Sequence, residues 1–110
     1  GGLIKLYFKR KMYMVSVKIT KSTNPKKKLM AIFSDDTGKK IKTTHFGAAG
    51  MSDFPTHKDG ERKKRYLQRH QKNENWSDYK SAGALSRWIL WDKPTRAGSI
   101  AAYKRRFNLK

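Results

Sequence analysis

The feature that most constrains this chain is an alternation of side-chain character over residues 12–46, interrupted twice by turn residues. Tyr13, Val15, Val17 and Ile19 alternate with Met14, Ser16, Lys18 and Thr20, the period of a half-buried β-strand. Lys21 to Lys28 (KSTNPKKK) reads as a loop punctuated by Asn24-Pro25. Leu29 to Ser34 (LMAIFS) is apolar enough for a central strand. Asp35-Asp36-Thr37-Gly38 is a hairpin signal, because glycine supplies the positive φ of a tight reversal at no steric cost. Lys39 to Phe46 (KKIKTTHF) then returns as a third strand, with Ile41, Thr43 and His45 on one face. Short connections between consecutive strands give a three-stranded antiparallel meander, with Leu3 to Phe8 a candidate fourth strand at its edge.

Gly47-Ala-Ala-Gly50 ends the strand pattern, and the period changes to that of helices. Thr56 with Asp59 three residues on predicts a helix start, and the helix would run to about Lys72 with Tyr66 and Leu67 as a thin apolar face beside His70. A second helix is expected from Ser81 to Trp91. Ala82, Leu85 and Ile89 form one row and Ala84, Trp88 and Trp91 a neighbouring one, and Pro94 follows as a stop. A last helix, from Thr95 or Ser99 to Phe107, places Ile100, Tyr103 and Phe107 on one stripe. The predicted class is α+β: a small antiparallel sheet followed by three short helices. Residues 1–12 are set apart as a basic arm or edge strand, and residues 13–110 form the single domain. MVSVKIT opens directly into the strand pattern, so Met14 is a candidate natural start, with residues 1–13 then an upstream extension.

At 110 residues, 36% of them hydrophobic, such a domain has the material for a core that removes roughly 65% of the unfolded surface from water. No cysteine is present, which excludes disulfides, thiolate metal sites and cysteine nucleophiles. No apolar run approaches the ~20 residues of a membrane-spanning helix. Charge dominates the composition, with 27 Lys+Arg against 8 Asp+Glu and a formal net charge of +19. Residues 1–34 hold nine bases and residues 93–110 hold six, neither with an acid, while residues 35–92 hold twelve bases and all eight acids. Two cationic ends therefore flank a more balanced centre. Such a field seeks an anionic partner: nucleic acid, an anionic lipid surface or an acidic protein. The candidate contacts fall in three groups. The first is Lys5, Lys9, Arg10 and Lys11 with Lys26, Lys27 and Lys28; the second is Arg62, Lys63, Lys64, Arg65 and Arg69; the third is Lys104, Arg105 and Arg106, whose place in a last helical turn also suits the helix dipole.

The segment from His45 to Trp91 holds every Trp and His of the chain and offers several motifs to weigh. His45, His57 and His70, with Asp53 or Glu74, invite a metal-dependent hydrolytic reading, but nothing matches the specificity of two His four apart on one helix. FGAAG lacks the Lys-Ser/Thr that would follow in a phosphate loop. The basic run Arg62 to Lys72 around Tyr66 is suited to tracking a phosphate backbone, and its plainer reading is a solvated helix face. Trp76, Trp88 and Trp91, with Tyr66, Tyr103 and Phe107, are aromatics for core packing or for a partner. The helical spacing of Trp88 and Trp91 beside Leu85 and Ile89 favours packing.

HFGAAGMSDF, HKDGERKKRYLQRH, NENW, AGALSRWILWDKP and SIAAYKRRF together resemble a family of small basic proteins of large nucleocytoplasmic DNA viruses of the chlorella-virus and mimivirus-like kind, and the resemblance covers about residues 29–109. None of these words is an enzyme signature. The resemblance implies a shared fold, a viral setting and a place in the virion. It leads to the expectation of a non-enzymatic minor capsid protein without cofactor or small-molecule substrate. Its compact domain and cationic arms would cement the major capsid protein and other minor capsid proteins. The alternative is a protein that packages viral DNA without sequence preference, and the anionic surface of an internal membrane is a further candidate partner.

Overall fold

A computed structural model describes residues 14–51, 53, 54 and 58–110. The candidate edge strand Leu3–Phe8, the cations Lys5, Lys9, Arg10 and Lys11, and the residues Thr56 and His57 lie outside the described residues. The fold is α+β. Strands β1 (Ser16–Lys21), β2 (Lys27–Ser34) and β3 (Lys40–Ala48) form an antiparallel sheet in the order β1-β2-β3, with the apolar β2 in the centre. Three helical segments follow: α1 (Gly60–His70), α2 (Ala82–Leu85, continuing as a π-helical turn over Ser86–Leu90) and α3 (Arg96–Phe107).

Strand register sorts the side chains onto two faces. Val17 pairs with Phe33, Ile19 with Ala31, Leu29 with Phe46 and Ala31 with Thr44, so these residues share the face that the helices cover. A register shift at Phe33/Ser34 skips Ile41 on β3, and Ile41 remains 45% exposed. Asp35 fixes the β2–β3 hairpin. Its Oδ1 accepts hydrogen bonds from the Thr37 and Lys39 backbone amides and from the Thr37 hydroxyl, and the bond from that hydroxyl above all holds the Asp35 carboxyl below its ordinary value.

The first two helices differ from their sequence expectations for local reasons, and the last follows its expectation from Thr95 to Phe107. α1 starts at Gly60, not near Thr56: Lys58 has a positive φ of 55°, which no helix carries through, and Asp59 is the cap that accepts from the Glu61 and Arg62 amides. It ends at His70 rather than Lys72, closed by the Gln71 amide on the Leu67 carbonyl. Ser81 caps α2 through the Ala84 amide and is not its first residue. The helix then widens into a π turn, with the Trp91 amide donating to the Ser86 carbonyl. Of the expected row Ala82, Leu85 and Ile89, the last two are buried. Ala82 is exposed, while Leu90 joins Leu85 and Ile89 in the interior. α3 starts at Arg96 with Thr95 as cap and ends at Phe107, followed by Asn108 in the left-handed conformation. The Leu109 amide donates to the Lys104 carbonyl, a Schellman-type reversal. It turns Leu109 into the core and lays Lys110 beside β1, where it exchanges backbone hydrogen bonds of 2.9 and 3.0 Å with Val17 and Val15.

The core lies between the sheet and the last two helices. Phe33, Phe46, Leu85, Ile89 and Tyr103 are fully buried. Tyr103 donates from its hydroxyl to the Tyr79 carbonyl at 2.6 Å, and Phe33, Tyr79, Phe107 and Tyr103 follow one another in ring contact. Ser99, also fully buried, accepts from the Lys93 amide and so fixes the corner before α3. No helix among the described residues is long and apolar enough to cross a membrane.

Candidate binding cleft

A cleft of about 360 Å³ opens where the start of β2 and the end of β3 meet α1 and α2. Its volume is at the lower end of the range of small-ligand sites, roughly 300–1,000 Å³. Phe46, Gly47, Leu90 and Trp91 give it an apolar wall, and Lys27, Lys28, Arg69 and His70 bring cations to it. Gly47 is required there by geometry. It has a φ of +79°, and a Cβ at this position would stand 2.7 Å from Leu90 Cδ1 and 3.2 Å from Lys28 Cβ.

Two carboxylates hold the cleft together. Asp53 is 2% exposed and receives the Lys28 ammonium at 2.6 Å, with an Arg96 guanidinium nitrogen at 3.6 Å. The same ammonium donates to the Met51 carbonyl. One buried acid thus ties β2 to the loop before α1 and to the start of α3. Glu74 plays the second role, with Oε1 2.8 Å from His70 Nδ1 and Oε2 accepting from the Trp76 indole at 3.0 Å. Its carboxylate also lies against Gly83, where an added Cβ would sit 3.1 Å from it. The Trp91, Tyr66 and His70 rings form a column along this wall, with Tyr66 stacked on Trp91 at 4.5 Å and 7°. Burial pushes the Tyr66 hydroxyl pKa well above its ordinary value, so it stays protonated.

A second aromatic cluster lies on the α2–α3 side. The Arg87 guanidinium sits 4.2 Å and that of Arg106 3.7 Å from the Trp88 ring centre, while Arg87 also approaches Trp76 at 5.4 Å. Trp88 donates its indole N–H to the Trp76 carbonyl, and Asp92 balances Arg87 at 3.5 Å. Burial lowers the Arg87 pKa and Asp92 opposes that shift; a guanidinium in such a setting remains charged.

The candidate contacts of the sequence reading are therefore distributed unevenly. Lys26 and Lys27 are exposed on the β1–β2 turn and its exit, whereas Lys28 is committed to Asp53. On α1, Lys64, Arg65 and Arg69 are exposed and Arg62 is half-buried. Lys63 turns inward, donating to the Asp92 carbonyl at 2.7 Å and lying over the Phe54 ring, and burial lowers its pKa. Arg105 is exposed, Lys104 is half-buried and Arg106 covers Trp88. Among the aromatics, Tyr66 and Tyr103 are buried, and the three Trp and Phe107 are half-buried. Of the histidines, His45 meets the Ser22 hydroxyl at 2.7 Å on the sheet face away from the helices, and His70 meets Glu74. No cluster of three metal-ligand residues forms among the described residues. Arg87 and Arg96 carry no signal in the sequence, Ser99 offers only a possible helix start, and a lone Asp53 between Ser52 and Phe54 gives no sign of a buried ion pair.

Residues 17–70, which run from the second residue of β1 to the end of α1, match the model of a family of unknown function, DUF5754. No curated protein and no solved structure matches the chain.

Proposed function

We propose that this chain is a non-enzymatic structural protein of a large DNA virus particle, a minor shell component that binds acidic neighbouring capsid proteins. The observation that carries the reading is the separation of its charges. Asp53, Glu74 and Asp92 are engaged with cations or indole groups of the fold, and Asp35 and Asp59 are engaged with backbone amides. Lys26, Lys27, Lys64, Arg65, Arg69 and Arg105 face outward. These five acids build the domain, and the outward cations outnumber the three other acids, the exposed Asp36, Glu61 and Asp78, so a net positive surface is left to be balanced by a partner. The half-buried Trp91, which lines one cleft with Lys27 and Arg69, suits a protein interface, whose anchors are enriched in Trp, Tyr and Arg. The viral setting is the contribution of the sequence resemblance.

Cross-linking of intact particles through lysine, followed by mass spectrometry, tests this reading. Links from Lys26, Lys27 or Lys64 to the major capsid protein or other shell proteins are expected. Links confined to core proteins bound to the genome would overturn it.

The second reading, genome packaging, is favoured by one feature: Arg65 and Arg69 stand one turn apart on the exposed side of α1 beside Lys64, a row able to follow phosphates. It predicts that replacing Arg62, Lys64, Arg65 and Arg69 together by Ala weakens duplex binding and flattens its salt dependence. An unchanged slope would exclude that row as the DNA-binding surface.

A further inference from the structure

We infer that the cleft between β3, α1 and α2 is the docking site for an acidic segment of a protein partner, with a carboxylate meeting Lys27 and Arg69 while an adjacent aliphatic or aromatic side chain enters beside Met51, Leu90 and Trp91. This inference rests on the shell-protein reading and names the partner chemistry for one surface.

Three observations carry it. First, the four cations of the cleft are not equivalent. Lys28 and His70 are engaged by Asp53 and Glu74, whereas Lys27 and Arg69 are exposed and belong to no ion pair among the described residues. Two cations at the mouth of an apolar cleft are complementary to an anion with an apolar neighbour. Second, Met51 lies at this cleft and is 61% exposed, one of two large hydrophobic residues exposed to this degree among the described residues. A flexible thioether beside Leu90 and Trp91 adapts to the side chain of a partner. Third, the cleft contains its own carboxylates, Asp53 and Glu74. Their repulsion rises with the charge of the incoming group, so a singly charged carboxylate is accepted more readily than a dianionic phosphate. A nucleic-acid phosphodiester is singly charged too, and the oligonucleotide control separates it from the carboxylate.

The test uses the full chain and a blocked hexapeptide alternating Glu with Leu and Phe, followed by amide NMR shifts. Its controls are the Gln-for-Glu peptide, inorganic phosphate and a thymidine oligonucleotide. Two variants address the cleft. Ala82→Leu fills it from an exposed helix position, and Arg69→Glu reverses a mouth charge. Lys40→Glu makes the same charge change at an exposed position outside the cleft. The peptide is expected to shift Gly47, Gly83 and the Trp91 indole, with affinity falling at least about tenfold in both cleft variants, at least about tenfold for the Gln peptide, and less than about twofold in Lys40→Glu; a tenfold loss is ~1.4 kcal/mol. Equal losses in Arg69→Glu and Lys40→Glu would show that charge alone is being read, and the inference fails. It fails also if Ala82→Leu binds normally, if the peptide does not bind, or if phosphate or the oligonucleotide displaces it from the cleft. Normal incorporation of Ala82→Leu into particles would sink the cleft while leaving the shell reading standing; absence of the unaltered protein from the shell would sink that reading itself.

Discussion

Replacing Gly47 by Ala tests the construction of the cleft wall at a single atom. The substitution adds a Cβ at a residue with φ of +79°, where an L side chain costs about 1–2 kcal/mol. The new atom would also stand 2.7 Å from Leu90 Cδ1 and 3.2 Å from Lys28 Cβ. Leu90 is 2% exposed and packed in the core, and Lys28 is held by Asp53, so neither neighbour gives way cheaply. Overpacking of this kind adds about 1–3 kcal/mol. The total is about 3 kcal/mol, or roughly a 10–20 °C fall in the melting temperature for a domain of this size. Gly50→Ala is the internal control. Its φ of +81° carries the same backbone strain, but a Cβ there meets nothing within 4 Å. Thermal and urea unfolding followed by circular dichroism should therefore place Gly47→Ala below Gly50→Ala by at least ~1 kcal/mol. Equal losses, within ~0.5 kcal/mol, would refute the claim that a Cβ at Gly47 collides with Leu90 and Lys28.

Three further perturbations separate the other supports. Asp53→Asn leaves the Lys28 ammonium without its counter-charge and should destabilise by about 3 kcal/mol, the low end for breaking a buried pair because Lys28 keeps some access to water; chemical unfolding measures it, and a loss below ~1 kcal/mol would reduce the pair to a surface contact. Tyr103→Phe removes the 2.6 Å hydrogen bond to the Tyr79 carbonyl from a fully buried ring and should cost about 1 kcal/mol without changing the fold; an unchanged melting temperature would contradict that role. The Asp35 carboxyl titrates below its unfolded value, so its contribution to stability is present above about pH 4 and is lost as pH falls through the folded pKa. Stability curves of the native protein and Asp35→Asn should accordingly converge below pH 4, and a constant separation down to pH 2 would exclude the linkage.

The sheet was the most legible part of the chain, because period-two alternation and the DDTG turn report local preferences that the tertiary structure has no reason to override. Val17, Leu29, Ala31 and Phe33 lie inside as their pattern demands. Helix ends were harder, since a cap is a contest between neighbouring side chains. Asp59 holds the start of α1, although Thr56 offers the more familiar spacing. The π turn was not legible at all: SRWIL follows AGAL without a breaker, and the wider turn buries Leu90 as well as Ile89. The candidate site was legible as a basic surface but not as a cleft. Which lysines turn inward depends on acids distant in sequence, as Lys28 with Asp53 and Lys63 with the Asp92 carbonyl show. Linear charge runs carry no record of that pairing.

The central claim is tested most directly by stepwise disruption of purified virus particles with mass spectrometry of each fraction. The protein should leave with the major capsid protein and stay with it after nuclease treatment. Retention with the genome until high salt or nuclease releases it, or absence from the particle, would contradict a role in the shell.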